Sequence, residues 1–167
     1  MTEMDQTADV FLSPGQFYFG TGQVSTLLGS CVAITFWHPS RQIGGMCHYL
    51  LPSRRLAPGH RIRRLDGRYA DEAIEMFRRE IVAAATEAYD YEVKMFGGGA
   101  QFTDQHWDSG IDVPGRNIET GVRLLADLGL EVSARHLGGI GARTLRLDLD
   151  TGEVWLRHQS AMDGSLS

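Results

Sequence analysis

Cys31 and His48 are the two side chains whose types and spacing could work as a nucleophile and its base. A free thiol is only a few per cent thiolate near neutrality, whereas a neighbouring imidazole can hold it as the thiolate of an ion pair. Cys31 follows Leu28-Gly29-Ser30. Glycine permits a tight bend there, and backbone N–H groups around Gly29 and Ser30 that point outward can receive an oxyanion. A cysteine–histidine pair also needs a group that orients the imidazole, and the hydroxyls of Ser25 and Thr26, just before the corner, are the candidates. Ser30 reads as a bend-former or hydroxyl donor.

Other readings compete for the same residues. A lone cysteine in an apolar strand usually serves core packing. Cys47 adjoins His48 in the chain, so it faces the opposite side of a strand and is expected in the core. For the same reason Cys31, Cys47 and His48 do not converge as a zinc site, and no CxxC or HExxH spacing supplies further ligands. No metal or organic cofactor is expected.

The elements that must position these residues follow from pattern. FYFG reads as an edge strand, and VSTLLGSCVAITFW as two strand pieces meeting at the Gly29-Ser30 corner. HPSRQ is a turn, and IGGMCHYLL a strand whose Gly44-Gly45 marks a bulge or a close backbone approach. Strands joined by a short turn pair as a hairpin, which brings His48 beside the strand leaving Cys31. From Tyr69 the period changes: Ala70, Ile74, Phe77, Ile81, Ala85 and Ala88 mark one helical face, with Asp71, Glu72 and Glu75 near its N-terminal end. YEVKMF is a strand ending in Gly97 to Gly99, and AQFTDQHWDSGIDVPG reads as a loop. A second helix is expected from Arg116 to Leu128, with Ile118, Val122 and Leu125 inward and Gly129 as its stop. LEVSARHLGG, TLRLDL and EVWLRH are strands, the last two joined through Asp150-Thr151-Gly152. Two helices among six to eight strands give a single-domain α+β fold with mixed or antiparallel sheets. The expected organisation is a flexible arm over residues 1–15, a domain over 16–158 and a polar tail over 159–167. No GxGxxG or Walker pattern sits between a strand and a helix.

Composition sets the class. With 167 residues, 43% apolar and 22% charged, the chain has globular proportions and length enough for one core. No run of eighteen apolar residues occurs, and MTEMDQTADVFLSPG carries acids and no base, so a cytoplasmic protein without membrane insertion is expected. The net charge of −5 argues against a nucleic-acid binder. One stretch runs against that balance: SRRLAPGHRIRRLDGR, with Arg54, Arg55 and Arg61 among six arginines. It reads as a solvated loop, as a contact for an acidic protein surface or, though no interleaved aromatic platform accompanies it, as a nucleic-acid contact.

The segment STLLGSCVAITFWHPSRQIGGMCHYLLP resembles the signature of the CheD family, the chemoreceptor glutamine deamidases. The likeness continues through YADEAI, KMFGGGAQF, GRNIETGVRLLADLGLEV, LGG and TGEVWLR, over roughly residues 16 to 158. It implies an α/β sandwich with a cysteine–histidine–threonine site like that of cysteine-dependent toxin deamidases. Cys31 and His48 take the first two places, and Thr26 the third, with Ser25 as alternative. It further implies a protein-glutamine glutaminase acting on the cytoplasmic domains of methyl-accepting receptors, with some activity on receptor glutamate methyl esters, and a CheC-type phosphatase as a second partner. The alternative within the same family is a non-catalytic adaptor for receptor or phosphatase. Two places depart from the pattern: the insert after Ala100, and GGIGAR in place of GG-x-x-GR, which leaves Arg143 as the matching arginine.

Overall fold

A computed structural model describes residues 8–100 and 112–159. Nine strands and two helices run in the order β1 (Asp9–Leu12), β2 (Phe17–Gly20), β3 (Gln23–Leu28), β4 (Val32–His38), β5 (Ile43–Cys47), α1 (Ala70–Ala83), β6 (Glu92–Gly97), α2 (Val113–Asp127), β7 (Val132–Leu137), β8 (Ala142–Asp148) and β9 (Val154–Gln159). The fold is α+β, as the pattern predicts, with one strand more than expected.

The strands form two sheets, one ordered β1-β3-β8-β9 and the other β2-β5-β4-β6-β7. Both are mixed: β1 runs parallel to β3 and β7 parallel to β6, and the other pairs are antiparallel. The five-stranded sheet is the middle of three layers. Its β4 is the central strand and is covered on both faces, which is why VAITFW is an almost unbroken apolar run. Val32, Ile34 and Phe36 pack with Phe77, Ile81 and Leu125 from the helices. Ala33, Met46 and Phe96 turn the other way, onto Val24, Leu28, Leu145 and Leu147 of the four-stranded sheet. Strand β8 has only one covered face, and its buried and exposed residues alternate accordingly.

An aromatic cluster fastens α1 to the middle sheet. Phe36 stacks on Phe77 at 4.2 Å between ring centroids, and Phe17 meets Phe77 edge-on at 4.8 Å. Truncating Phe77 to alanine would cost about 3–5 kcal/mol, the usual penalty for an aromatic in a closed core. Helix α1 ends at Ala83, and Ala85 sits at a left-handed φ of 58°, so Ala85 and Ala88 fall outside the helix they were expected to continue. Helix α2 starts at Val113, three residues before the expected Arg116. Asp112 caps it by accepting from the Gly115 N–H, and Pro114 sits in the first turn, where its missing N–H costs nothing. Val-Pro-Gly reads as loop by composition, but it is a helix start. Ile118, Val122 and Leu125 face the core, as predicted.

The segment expected to be a loose arm carries structure in its second half. Asp9–Leu12 is strand β1, and Leu12 is buried in the intersheet core. Val10 and Leu12 turn inward, but Phe11 between them is apolar and exposed, so the segment shows no alternation of polar and apolar residues. Residues 1–7 of the expected arm, residues 101–111 of the expected loop and the expected tail from 160 lie outside the described residues.

Candidate active site

The β3–β4 connection is where the chain leaves one sheet for the other, so the Gly29–Cys31 corner lies at the end of the sheet sandwich. Pairing between β4 and β5 extends past Cys47: Val32 and Tyr49 exchange N–H to carbonyl bonds of 3.1 and 2.9 Å. That register sets His48 opposite Ala33. Cys31, two residues before Ala33, packs on the same intersheet cluster as Ala33 and Met46, so it lies diagonal to His48 on one face. Cys47 points the opposite way into the helix-side core, as predicted.

The third group comes from the facing sheet. Thr26, buried on β3, has its Oγ1 2.7 Å from His48 Nδ1 and 2.8 Å from the Leu12 carbonyl. A carbonyl only accepts, so the single hydroxyl hydrogen goes to Leu12. Towards the imidazole the hydroxyl oxygen must accept, and Nδ1 therefore carries the ring proton. Nε2 is left with a bare lone pair. This nitrogen is buried and has no hydrogen-bond partner, while His48 as a whole is 1% exposed. Ser25 lies on the other face of β3, half-exposed, so it does not share this contact.

Electrostatics fix the resting protonation. Burial pushes the Cys31 thiol up and depresses the His48 imidazole to about 4. Both groups are neutral at pH 7, a thiol beside a free base, rather than the ion pair that residue types alone suggest. No hydrogen bond joins Cys31 to His48 among the described residues.

The corner presents its amides by a backbone argument. The Gly29 carbonyl accepts from the Gly99 N–H at 3.2 Å, and the Cys31 carbonyl from the Gly98 N–H at 2.8 Å. The peptides are trans, so a Gly29 carbonyl turned towards Gly99 sends the Ser30 N–H the opposite way. Among the described residues the N–H groups of Ser30 and Cys31 donate to nothing, and both residues are half-exposed. Gly97 takes a φ of 110° and has no room for a side chain against the Cys31 carbonyl, which is why this turn is written in glycine.

Four supporting residues were not singled out by sequence reasoning. The Leu12 carbonyl receives Thr26, and the Gly15 N–H donates to the His48 carbonyl at 2.8 Å, so the expected arm in fact braces both partners. Asn117 on α2 is fully buried and donates from Nδ2 to the Leu50 carbonyl at 2.7 Å, and the Tyr49 hydroxyl donates to the Asn117 carbonyl at 2.5 Å. The only sequence signal for these was a polar residue on an inward helical position, at Asn117.

The arginine stretch divides. Arg54 donates from Nε and Nη2 to the buried Glu72 carboxylate at 2.8 and 2.6 Å and lies over the Tyr69 ring. It thus ties the loop to α1 and is less exposed than Arg55 and Arg61, with 26% of its side chain open to solvent. Arg55 and Arg61 are exposed and form no ion pair among the described residues. Their loop leaves the sheet directly after Leu50, which continues the register opposite Cys31.

A family model described as CheD chemotactic sensory transduction matches residues 50–158. That match begins past His48; the Cys31–His48 segment falls within the longer spans shared with individual relatives. A protein of Pseudomonas fluorescens (strain SBW25), named probable chemoreceptor glutamine deamidase CheD, is 48% identical over 156 residues, 92% of this chain and 86% of its own length. One from Dechloromonas aromatica (strain RCB), named probable chemoreceptor glutamine deamidase CheD 3, is 42% identical over 160 residues, 95% and 92% of the two chains. A more distant relative from Leptospira interrogans, with the same probable function in its name, is 35% identical over 161 residues, 92% and 95%.

Proposed function

Because the chain belongs to the CheD family, we propose that it hydrolyses glutamine side chains of chemoreceptors to glutamate, with Cys31 as nucleophile and His48 as base. The observation that carries this reading is the bare, buried Nε2 of His48, set in that tautomer by Thr26 and Leu12 on the face it shares with Cys31. In the first step Nε2 takes the thiol proton as Cys31 Sγ bonds to the amide carbon of the substrate glutamine. The carbonyl oxygen becomes an oxyanion, met by the N–H groups of Ser30 and Cys31. The carbon–nitrogen bond then breaks, the proton on Nε2 leaves with the nitrogen as ammonia, and a thioester remains. Water, deprotonated by the same Nε2, attacks that thioester, which releases glutamate and restores the thiol. Neutral starting groups suit this scheme, since the base needs its lone pair free. Receptor glutamate methyl esters share the tetrahedral chemistry and are expected as slower substrates.

The exposed Arg55 and Arg61, on the loop that leaves the sheet after Leu50, are suited to an acidic receptor surface, and their reversal to glutamate is expected to weaken receptor binding. The same reading carries recruitment to receptor arrays in the cytoplasm, and a CheC-type phosphatase as a second partner. The test is intact-mass spectrometry of a receptor cytoplasmic fragment incubated with the protein and, separately, with Cys31→Ala. A gain of about 1 Da per modified glutamine with the first alone is expected, since an amide nitrogen is exchanged for oxygen. Binding without any mass gain would instead make the protein an adaptor, and an equal gain with both would remove Cys31 from the mechanism.

A further inference from the structure

Arg143 is the largest fully buried side chain, at 1% exposure, and no carboxylate lies within ion-pair distance of it among the described residues. A buried charge without a counter-ion is costly, so a chain that keeps one gains something local from its hydrogen bonds. Its Nε donates to His136 Nδ1 at 2.9 Å and its Nη2 to the Gly138 carbonyl at 2.6 Å, while Nη1 is buried without a partner. Arg143 stands on β8 opposite Leu28, the residue before the Gly29 corner. The guanidinium lies against Gly99: a Cβ built there would be 3.1 Å from Nη1, 2.6 Å from the Gly141 carbonyl and 3.6 Å from the Gly29 carbonyl.

These contacts connect to the corner through an unbroken set of backbone bonds. Gly138 N–H donates to the Gly97 carbonyl at 2.9 Å, Ala100 N–H to the Gly139 carbonyl at 2.8 Å and Gly141 N–H to the Ala100 carbonyl at 2.9 Å. Gly98 and Gly99 then hold the Cys31 and Gly29 carbonyls. Gly97, Gly98, Gly138, Gly139 and Gly141 all have left-handed φ, a conformation that glycine reaches freely and leaves as freely. Apart from Arg143 and from the His158 ring at the Ile140 carbonyl, 2.9 Å away, these two turns are held by backbone bonds alone and make a soft support. A planar guanidinium that donates to His136 and Gly138 at one turn and packs against Gly99 of the other removes that softness, and a lysine ammonium lacks the fork and the flat face to do so.

We propose that Arg143 is a positioning residue, which by clamping the two glycine turns fixes the Gly29–Cys31 corner and the outward set of its Ser30 and Cys31 N–H groups. The role of those N–H groups as an oxyanion receptor rests on the deamidase reading; the clamp itself does not. Amide hydrogen exchange measured by NMR on the full chain, for the native protein, Arg143→Met and Arg143→Lys, tests the clamp. The expected result is exchange at Gly98 and Gly99 about tenfold faster in both variants, with the amides of α1 unchanged. Unchanged exchange at these two glycines overturns the proposal, and so does a loss of protection throughout α1 in both variants, which would make Arg143 a general support of the fold. The kinetic arm separates positioning from thiol tuning. Deamidation of a receptor fragment is expected to lose about 10²-fold in kcat with KM unchanged, as when an oxyanion donor is displaced. Alkylation of Cys31 by iodoacetamide proceeds at a saturated carbon without an oxyanion, and is expected to keep its rate within about twofold. Slowed alkylation in parallel with kcat would overturn the assignment. Should the native protein deamidate nothing, the deamidase reading falls and the exchange result still decides the clamp.

Discussion

Cys31 and Cys47 carry the same functional group on two sides of one sheet, and almost nothing else about them is shared. Cys47 is fully buried among Val32, Ile34, Tyr49 and the helices, where desolvation pushes its thiol up to about 12. Cys31 is half-exposed at a corner between sheets, with free backbone N–H groups beside it and an unpartnered imidazole nitrogen on its own face. Apolar burial makes a thiol a packing atom, whereas chemistry needs partial access, a base whose lone pair is free, and donors that nothing else has claimed. The middle sheet separates these conditions by the simple alternation of strand side chains, because His48 and Cys47 are consecutive and must face apart.

The largest expected effect breaks the comparison at its active side. Cys31→Ala is expected to lower deamidation by at least about 10³-fold while leaving thermal stability nearly unchanged, since the removed atom is half-solvated. Cys47→Ala should do the reverse, keeping activity within a few fold and costing about 1–2 kcal/mol for the cavity. A receptor fragment assayed by mass and a urea titration read both, and equal activity of the two variants would remove the distinction. In the native protein, limited iodoacetamide should label Cys31 alone, with Cys47 reached only after denaturation. Peptide mapping that found Cys47 modified first would invert the assignment.

The separation was partly written in the sequence. The apolar run around VAITFW, the glycine at the corner and the adjacency of Cys47 to His48 were enough to place Cys31 and His48 on one face and Cys47 on the other. Thr26 and Ser25 could not be told apart, because the choice depends on which face of β3 meets the other sheet, and a short strand with apolar residues at Val24, Leu27 and Leu28 leaves that face ambiguous. Equally hidden was the part played by Leu12 and Gly15. Their contribution is a carbonyl and an N–H, which every residue possesses, so no side-chain pattern could announce it. Helix α2 was placed correctly in its core face and missed at its start, where Asp112 and Pro114 form a cap that composition alone reads as a turn.

Acid should weaken the active side through His48. Its folded value of about 4 lies below the ordinary 6.5, because burial disfavours the imidazolium. Between those values the unfolded chain binds a proton that the folded chain refuses, so stability falls as pH drops through that window and is fully present above it. The whole difference amounts to about 3 kcal/mol. Urea midpoints at pH 7 and pH 4.5 should therefore converge more in His48→Gln than in the native protein; an identical pH dependence in both would mean that His48 is not held neutral. Activity should persist below pH 6.5 for as long as the fold does, because the base keeps its lone pair.

The smallest effect sharpens the comparison within a single strand. Thr26→Val keeps the shape and the β propensity of the side chain but leaves His48 Nδ1–H without an acceptor inside the sandwich, where the Leu12 carbonyl also loses its donor. The imidazole is then free to turn or to exchange tautomer, and each alternative takes the lone pair away from the face of Cys31. A fall in kcat of about 10- to 100-fold is expected, the usual scale for a misaligned general base. Ser25→Ala, one residue earlier and on the opposite face, should change kcat by less than about twofold, since nothing at the site depends on its hydroxyl. A larger loss from Ser25→Ala than from Thr26→Val would mean that the orienting hydroxyl is supplied from the other side of β3, and that the tautomer deduced from Leu12 does not govern the reaction.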